Sequence, residues 1–377
     1  MSGHWDVIIV GGGLAGLCSA LHLCKLNKKV LLIEKNKYPF HKVCGEYISN
    51  EIIPYLEWLG VTVDDLNAEQ IHNLSLSTER GYRVETKLPL GGFGISRYQL
   101  DFYLYNKAIQ QGCMVLEDQV LDIEFVNGVH QLTTQKNGNF ESNIVLGAYG
   151  KRASLDKKLS RDFIEKKTGW LAVKAHYQGA VAPGTVSLHH FQGGYCGVSR
   201  VENGIINICY LSDFNTFKKY KDINEHQEQI LYKNKALRQV FETSKPIFDK
   251  PISISQIFFD KKETVHNHII MIGDTAGLIH PFCGNGMAMA MHSASIASHL
   301  VTQYLDQKLS RKELERKYKK EWRIFFNSRL NMGKIVAKLL SNSLTSRMLL
   351  RIVTASPKVL RFIIKQTHGK PLSIANL

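Results

Sequence analysis

Residues 5–34, WDVIIVGGGLAGLCSALHLCKLNKKVLLIE, constrain the fold more than any other stretch of the chain. The apolar run Val7 to Val10 reads as a buried parallel strand that runs directly into Gly11, Gly12, Gly13 and Gly16. Leu14 to Leu26 spaces its apolar side chains as a helix does, and Val30 to Ile33 is a second buried strand closed by an acid, Glu34. Gly11 supplies a turn that other residues resist. Gly13 lets a pyrophosphate approach the backbone, Gly16 lets the helix lie against the strand, and Ala15 sits between them in the same turn. The helix start offers free N–H groups to phosphate. Glu34 follows Gly16 by 18 residues, where a carboxylate can accept from an adenosine ribose. Strand, glycine turn, helix, strand and acid in this order predict dinucleotide binding rather than a merely structural turn.

The 377 residues suffice for two domains or one elaborated one. No basic segment followed by an apolar stretch opens the chain, and no run of 18 apolar residues occurs, so neither a secretory signal nor a membrane span is expected. Seven scattered cysteines without a C-x-x-C pair fit reduced cytoplasmic thiols, and no spacing suggests a metal site. The net charge of +15 is concentrated in the tail. Residues 301–377 carry 17 Lys and Arg against 4 Asp and Glu, a net of +13, which leaves +2 for the rest. No finger or RNP-type motif accompanies this charge, so no nucleic-acid partner is expected.

Downstream, a polar and aromatic loop from Lys35 leads to a helix near Ser49 to Leu59. Alternation over residues 71–90 predicts paired strands, broken by Gly91, Gly92 and Gly94. Arg97 to Ala108 reads as a helix, and hairpins are expected at Asn127-Gly128 and near Asn137-Gly138. Residues 168–212 read as mostly β, with strands at WLAVKAHY, TVSLHHF, YCGVSRV and GIINICYL, and SISQIFF reads as a further strand. Met287 to Leu305 is a long helix, followed by the basic helical tail.

Residues 266–294, HNHIIMIGDTAGLIHPFCGNGMAMAMHSA, repeat the logic of the opening. A buried strand meets Gly273 and Asp274, whose carboxylate can accept from a sugar-like hydroxyl. A helix is then entered through Gly284 and Gly286, and its N-terminus can stabilise negative charge such as develops on a reduced flavin.

With both motifs in hand, the chain resembles the flavoprotein superfamily of aromatic hydroxylases, geranylgeranyl reductases and FixC-like dehydrogenases, over most of residues 5–300. The resemblance rests on Gly11, Gly13 and Gly16, on Glu34, on Arg97 and Leu100 in RYQLD, on Gly273 and Asp274, and on Pro281 with Gly284 and Gly286. It implies bound FAD, with the adenosine held at Glu34 and the backbone of Val120, Arg97 near the cofactor, Asp274 on the ribityl chain and Pro281 beside the isoalloxazine. It also implies an α/β fold: a Rossmann-like FAD-binding domain of the GR2 type (residues 1–70, 95–160 and 255–305), an inserted antiparallel β-sheet substrate domain (71–94 and 161–254) and a basic helical C-terminal region (306–377).

Within the superfamily, KVCGEYIS at 42–49 resembles the Cys-Gly loop of the geranylgeranyl reductase and FixC-like branch. Cys44 is there either a small packing residue or a thiol near the flavin. Glu46 is a candidate proton donor, or a solvated or capping acid. Tyr149-Gly150 stands where hydroxylases carry Asp-Gly, which puts NAD(P)H-driven hydroxylation in doubt and leaves NAD(P)H open as the electron donor. YCGVSRVENG keeps the tyrosine of the prenyl-reductase Tyr-x-Trp-x-Phe-Pro signature, with Gly197 and Ser199 in place of its aromatics, so a different hydrophobic substrate is expected. No Trp-x-Trp-x-Ile-Pro halogenase signature occurs.

The leading expectation is an FAD-dependent reductase or dehydrogenase for a lipid- or polyketide-like small molecule. The alternatives are an FAD monooxygenase of a quinone or secondary-metabolite pathway and an electron-transfer flavoprotein without its own turnover. His189, His190, His280 and Cys283 are read as structural. The tail has two readings: a solvated helix over the FAD domain, or, in RMLLRIVTASPKVLRFIIK, a peripheral contact with a membrane surface. Oligomeric state is not readable from the chain.

Overall fold

The computed structural model describes residues 3–374 except 167, 221 and 342. Two sheets share the chain. The first has the order Val265–His266, Ile269–Met271, Asn139–Gly147, His4–Val10, Val30–Glu34, Met114–Glu117. Its four central pairings are parallel, with Val7 opposite both Val30 and Ile144. Being buried on both faces, these strands are runs of Val, Ile and Leu rather than alternating patterns. The hairpin Val120–Val126/Val129–Thr134 is attached through Asn139–Gly147, and Asn127 and Gly128 both take positive φ at its turn.

Helix α1 (Leu14–Lys25) and helix α2 (Arg97–Gln110) pack together on the first sheet, and helix α3 (Gly286–Leu305) packs on α1. A Cβ on Gly16 would collide with the carbonyl oxygen of Gly11, so glycine here sets how closely α1 approaches its strand.

The second sheet has the order Ser244–Pro246, Trp170–Gly179, Ile206–Asp213, Gly194–Arg200, Thr185–Phe191, Glu69–Ser77, Arg83–Gly94, Tyr47–Ser49, with Ile252–Ser255 also on Trp170–Gly179. All but one of its pairings are antiparallel. Thr185–Phe191 runs parallel to Glu69–Ser77, because these two strands lie far apart in sequence and need no hairpin between them.

Two local expectations change. Gly91, Gly92 and Gly94 interrupt the pairing but not the strand: it runs from Arg83 to Gly94, while its register with Glu69–Ser77 jumps between Lys87 and Gly92, where Gly91 takes φ +68. They let it approach its neighbours, since a Cβ on Gly94 would overlap the Arg200 carbonyl. The SISQIFF segment is a strand only over Ile252–Ser255; Gln256 turns the backbone to φ +57, and Ile257 and Phe259 leave the sheet to wall a cavity.

The tail is three helices: α4 (Arg311–Ser341), α5 (Ser343–Ala355) and α6 (Pro357–Thr367). Helix α4 buries Leu314, Tyr318, Trp322 and Phe326 in the core of the first sheet, and Tyr318 donates to the Met271 carbonyl at 2.6 Å. Helices α5 and α6 cover the second sheet instead: Leu350, Val353, Leu360 and Ile364 pack on Ile71, Leu74, Leu76 and Leu88. The tail is thus an integral layer over both sheets.

Candidate functional site

Between the two sheets lies a cavity of about 630 Å³. Its first half is built by the opening motif. Gly13, Leu14 and Ala15 line it at the start of α1, and no side chain caps that helix end, so its first N–H groups remain available. A Cβ built on Gly13 would meet only two cations, the Arg97 guanidinium at 3.7 Å and the Lys42 ammonium at 4.0 Å. An open space at an uncapped helix start, faced by two positive charges, fits a pyrophosphate. Gly11 and Gly16 do not line the cavity; they act behind it, holding helix to strand.

Glu34 ends its strand at the rim of this space. Its carboxylate is oriented by the Gly12 N–H at 2.7 Å and by the Asn36 backbone and side-chain amides at 3.0 and 2.8 Å. These three donors leave acceptor capacity for a ribose. Val120 is absent from the cavity wall; its side chain is buried in the hairpin, beside the end of the Glu34 strand. Arg97 holds Asp101 through two bonds of 2.7 Å, and Lys42 reaches the same carboxylate at 2.8 Å. Burial alone would raise the Asp101 carboxyl; the two cations hold it below its ordinary range.

The second half comes from the far end of the sequence. Gly273 and Asp274 form a single 3₁₀ turn, with Gly273 N–H donating to Ser293 Oγ at 2.8 Å. The Asp274 carboxylate lines the cavity and has no hydrogen-bond partner among the described residues. Pro281, Gly284 and Gly286 line it too. Gly284 takes φ +65, and no side chain caps α3, because the Asn285 amide donates instead to the Thr367 carbonyl at 2.8 Å. The site therefore has a free acid for a polyol chain and a free helix N-terminus beyond it. FAD fits this donor set, pyrophosphate at Gly13, ribityl at Asp274 and flavin at the α3 end.

Cys44 and Gly45 line the cavity in the loop that runs from Lys42 at the phosphate space to Tyr47 beside Gly284. Glu46 is not a solvated acid. It is fully buried, its Oε1 accepting from Lys174 Nζ at 2.5 Å and from Arg97 N at 2.8 Å, and its Oε2 2.7 Å from His176 Nε2. Burial pushes its carboxyl up, but His176 and Lys174 hold it below the usual range. It does cap α2, since Arg97 is that helix's first residue.

Beyond the cofactor space the cavity is apolar, walled by Leu74, Leu76, Leu188 and Tyr195 of the second sheet and by Leu360 and Ile364 of α6. Gly197 lines it as well, so the missing aromatic there is chamber volume; Ser199 is buried outside the wall. Tyr149 and Gly150 border the cofactor half. Cys283 and Cys209 also line it, and burial pushes both thiols up to about 12. His189 is outside it, bonded to Ser77 Oγ at 2.7 Å. The described residues contain no cluster able to hold a metal.

The family model for FAD dependent oxidoreductases matches residues 6–42, and that for squalene epoxidase matches residues 223–367. A digeranylgeranylglycerophospholipid reductase of Methanosarcina acetivorans is 23% identical over 365 residues, 91% of this chain and 86% of that protein. The chain is an FAD-dependent flavoprotein oxidoreductase that is similar to geranylgeranyl reductases. Two solved structures share its fold. A flavoprotein/dehydrogenase from Cytophaga hutchinsonii superposes with a TM-score of 0.83 at 18% identity, over 99% of this chain and 95% of its own. The flavin-dependent brominase Bmp2 does so at 0.79 and 16%, over 97% and 93%. The flavoprotein thus has a fold that carries more than one chemistry, and its own chamber must decide between them.

Lys42, Lys174 and His176 were missed in the sequence. Lys42 stands two residues before Cys44 in a loop already singled out. Lys174 and His176 alternate with apolar residues in WLAVKAHY, which puts both on one strand face, a signal that two buried polar groups share a site.

Proposed function

We propose that this flavoprotein is a reductase that saturates carbon–carbon double bonds in a long-chain, lipid-like substrate. The observation that carries the reading is the apolar chamber continuous with the cofactor space and roofed by α6. FAD, when bound, supplies the reducing equivalents. The chain's residues do the rest: Leu74, Leu76 and Leu360 bind hydrocarbon, α6 excludes water, and Cys44 holds a thiol at the junction of the two halves. Glu46, locked in its ion pair, is a positioning residue that fixes the Cys44 loop rather than a proton donor.

The test is anaerobic mixing of dithionite-reduced, FAD-loaded protein with an unsaturated polyprenyl glycerophospholipid, followed by mass analysis. Gain of two hydrogens per double bond, with flavin reoxidation, is expected. Product carrying an added oxygen atom in air, with none reduced, overturns the reading in favour of a monooxygenase.

The tail supports a second component, contact with an anionic membrane surface. No described helix is long and apolar enough to cross a membrane. The outer faces of α5 and α6 nevertheless expose Met348 (67%), Ile352 (51%) and Phe362 (57%) among Arg347, Arg351, Lys358 and Arg361. Their inner faces cover the second sheet, and that of α6 roofs the chamber. An apolar stripe set among cations suits the interface of an anionic bilayer. In vesicle flotation, the protein is expected to float with phosphatidylglycerol vesicles and not with phosphatidylcholine. The triple variant Met348→Glu, Ile352→Glu, Phe362→Glu should lose at least about tenfold in partitioning. Equal flotation of variant and wild type would count against it.

A further inference from the structure

The Asp274 turn of the cofactor site is held from behind by two buried cations. Residues 260–262 pair with residues 276–278, through Lys262 N to the Ala276 carbonyl at 3.1 Å and Leu278 N to the Asp260 carbonyl at 3.0 Å. That pairing sets the Lys262 side chain, 8% exposed, behind the turn. Its Nζ donates to the Asp274 carbonyl at 2.8 Å and to the Lys151 carbonyl at 2.7 Å, and lies 4.3 Å from the Phe163 ring centroid. One ammonium thus ties the Asp274 turn to the loop that follows Tyr149 and Gly150. Arg161, fully buried, donates to the next carbonyl, that of Thr275, at 3.0 and 3.1 Å.

The two cations differ in what balances them. Arg161 has Asp156 at 2.9 Å and Glu263 at 3.3 Å. Lys262 has no carboxylate within 4.0 Å among the described residues, and neither has Lys151, whose Nζ donates to the Val43 carbonyl at 3.2 Å. Burial lowers the Lys262 pKa to about 8; Asp156 and Asp274, further off, oppose the fall, and Arg161 and Lys151 add to it. The side chain is therefore an ammonium at neutral pH. Burying an ammonium without a paired acid is costly, and a neutral amide could tie the same two carbonyls with its two N–H groups. What the lysine adds is a fixed charge one peptide behind the Asp274 carboxylate, which lines the cofactor space. The reduced flavin ring carries negative charge that the oxidised ring lacks, and a cation buried this close acts on it with little screening. We propose that Lys262 is a positioning residue that fixes the Asp274 turn and, through its unbalanced charge, makes the site hold reduced FAD more tightly than oxidised FAD. The midpoint potential of the bound cofactor is thereby raised. This role concerns the cofactor alone and is independent of the lipid substrate.

The midpoint potential of the FAD-loaded protein is measured by anaerobic spectroelectrochemical titration in the wild type, Lys262→Gln, Lys262→Met and Lys262→Arg, with the affinity for oxidised FAD taken from fluorescence quenching in parallel. The glutamine keeps donors for the carbonyls and loses the charge. Lys262→Gln and Lys262→Met should cut the preference for the reduced cofactor at least about tenfold, a fall of about 30 mV for a two-electron couple, and Lys262→Arg should keep most of it. A merely structural tie would weaken both forms equally and leave the potential where it was. The wild type supplies a check that needs no variant. As pH rises through about 8 the ammonium loses its proton, so the potential should fall more steeply above that pH than below it, by up to about 30 mV more per unit. An unchanged potential in Lys262→Gln, an equal fall in Lys262→Arg, or a wild-type slope that stays constant from about pH 7 to about pH 9.5 overturns the proposal.

Discussion

Replacing Lys174 with methionine is expected to destabilise the FAD-loaded protein by about 3–5 kcal/mol, the usual consequence of stripping one partner from a buried ion pair. Lys174 and Glu46 are both fully buried, 2.5 Å apart, with the Glu46 backbone at φ +55. That left-handed conformation costs a non-glycine residue on the order of 1–2 kcal/mol. The three bonds to the carboxylate, from Lys174, His176 and Arg97 N, hold it there. Without Lys174, the carboxylate keeps its desolvation cost and loses its nearest cation. The double variant Glu46→Gln, Lys174→Met should recover most of the loss, because the introduced amide is neutral and retains an oxygen for Arg97 N. Urea unfolding at saturating FAD measures both. A loss below about 1 kcal/mol in the single variant, or no recovery in the double, would refute the account of a charge pair that clamps the Cys44 loop.

The first sheet was legible because its signals are local. A strand, four glycines, a helix and Glu34 lie within 30 consecutive residues, and the hairpin at Asn127-Gly128 declares its own turn. Asp274, Pro281 and Gly284 also stand in one short stretch, and all three line the cavity. What escaped depends on long-range pairing. Nothing near Glu46 in sequence says that residues 174 and 176, 128 and 130 positions on, will meet it, and an acid in a polar loop can equally be read as a proton donor, a capping group or a solvated carboxylate. The glycines at 91–94 read as a break, and the pairing is interrupted there; that they also allow a close approach is hidden until the neighbour, here the Arg200 carbonyl, is known. The tail's charge was plain, but its amphipathic pattern does not say which surface its apolar side covers. Only the fold places Leu360 and Ile364 over the chamber and leaves Met348 and Phe362 outside.

Acid should unfold this protein early, from about pH 6.5 downward, before most carboxylates titrate. His22, His130, His189, His280 and His292 are all buried, and burial is the first cause lowering each of their pKa values, to about 3 for His22, His130 and His292 and about 4 for His189 and His280. In the unfolded chain each titrates near 6.5. Between these values the unfolded state binds protons that the folded state refuses, so stability is fully present above the unfolded pKa and is lost as pH falls through it. The slope reaches roughly 1.4 kcal/mol per pH unit for each such histidine. Urea midpoints measured from pH 8 to pH 5 at saturating FAD should be flat above about pH 7 and fall steeply below about pH 6. His292, packed against Phe325 and Phe326 at 4.6 and 5.1 Å, gives the specific check. His292→Leu keeps the site apolar and removes one titration, so its slope between pH 6 and 5 should be shallower by up to roughly 1.4 kcal/mol per unit. A wild-type stability unchanged between pH 7.5 and 5, or an identical slope in His292→Leu, would show that these rings are hydrated or protonated in the folded state.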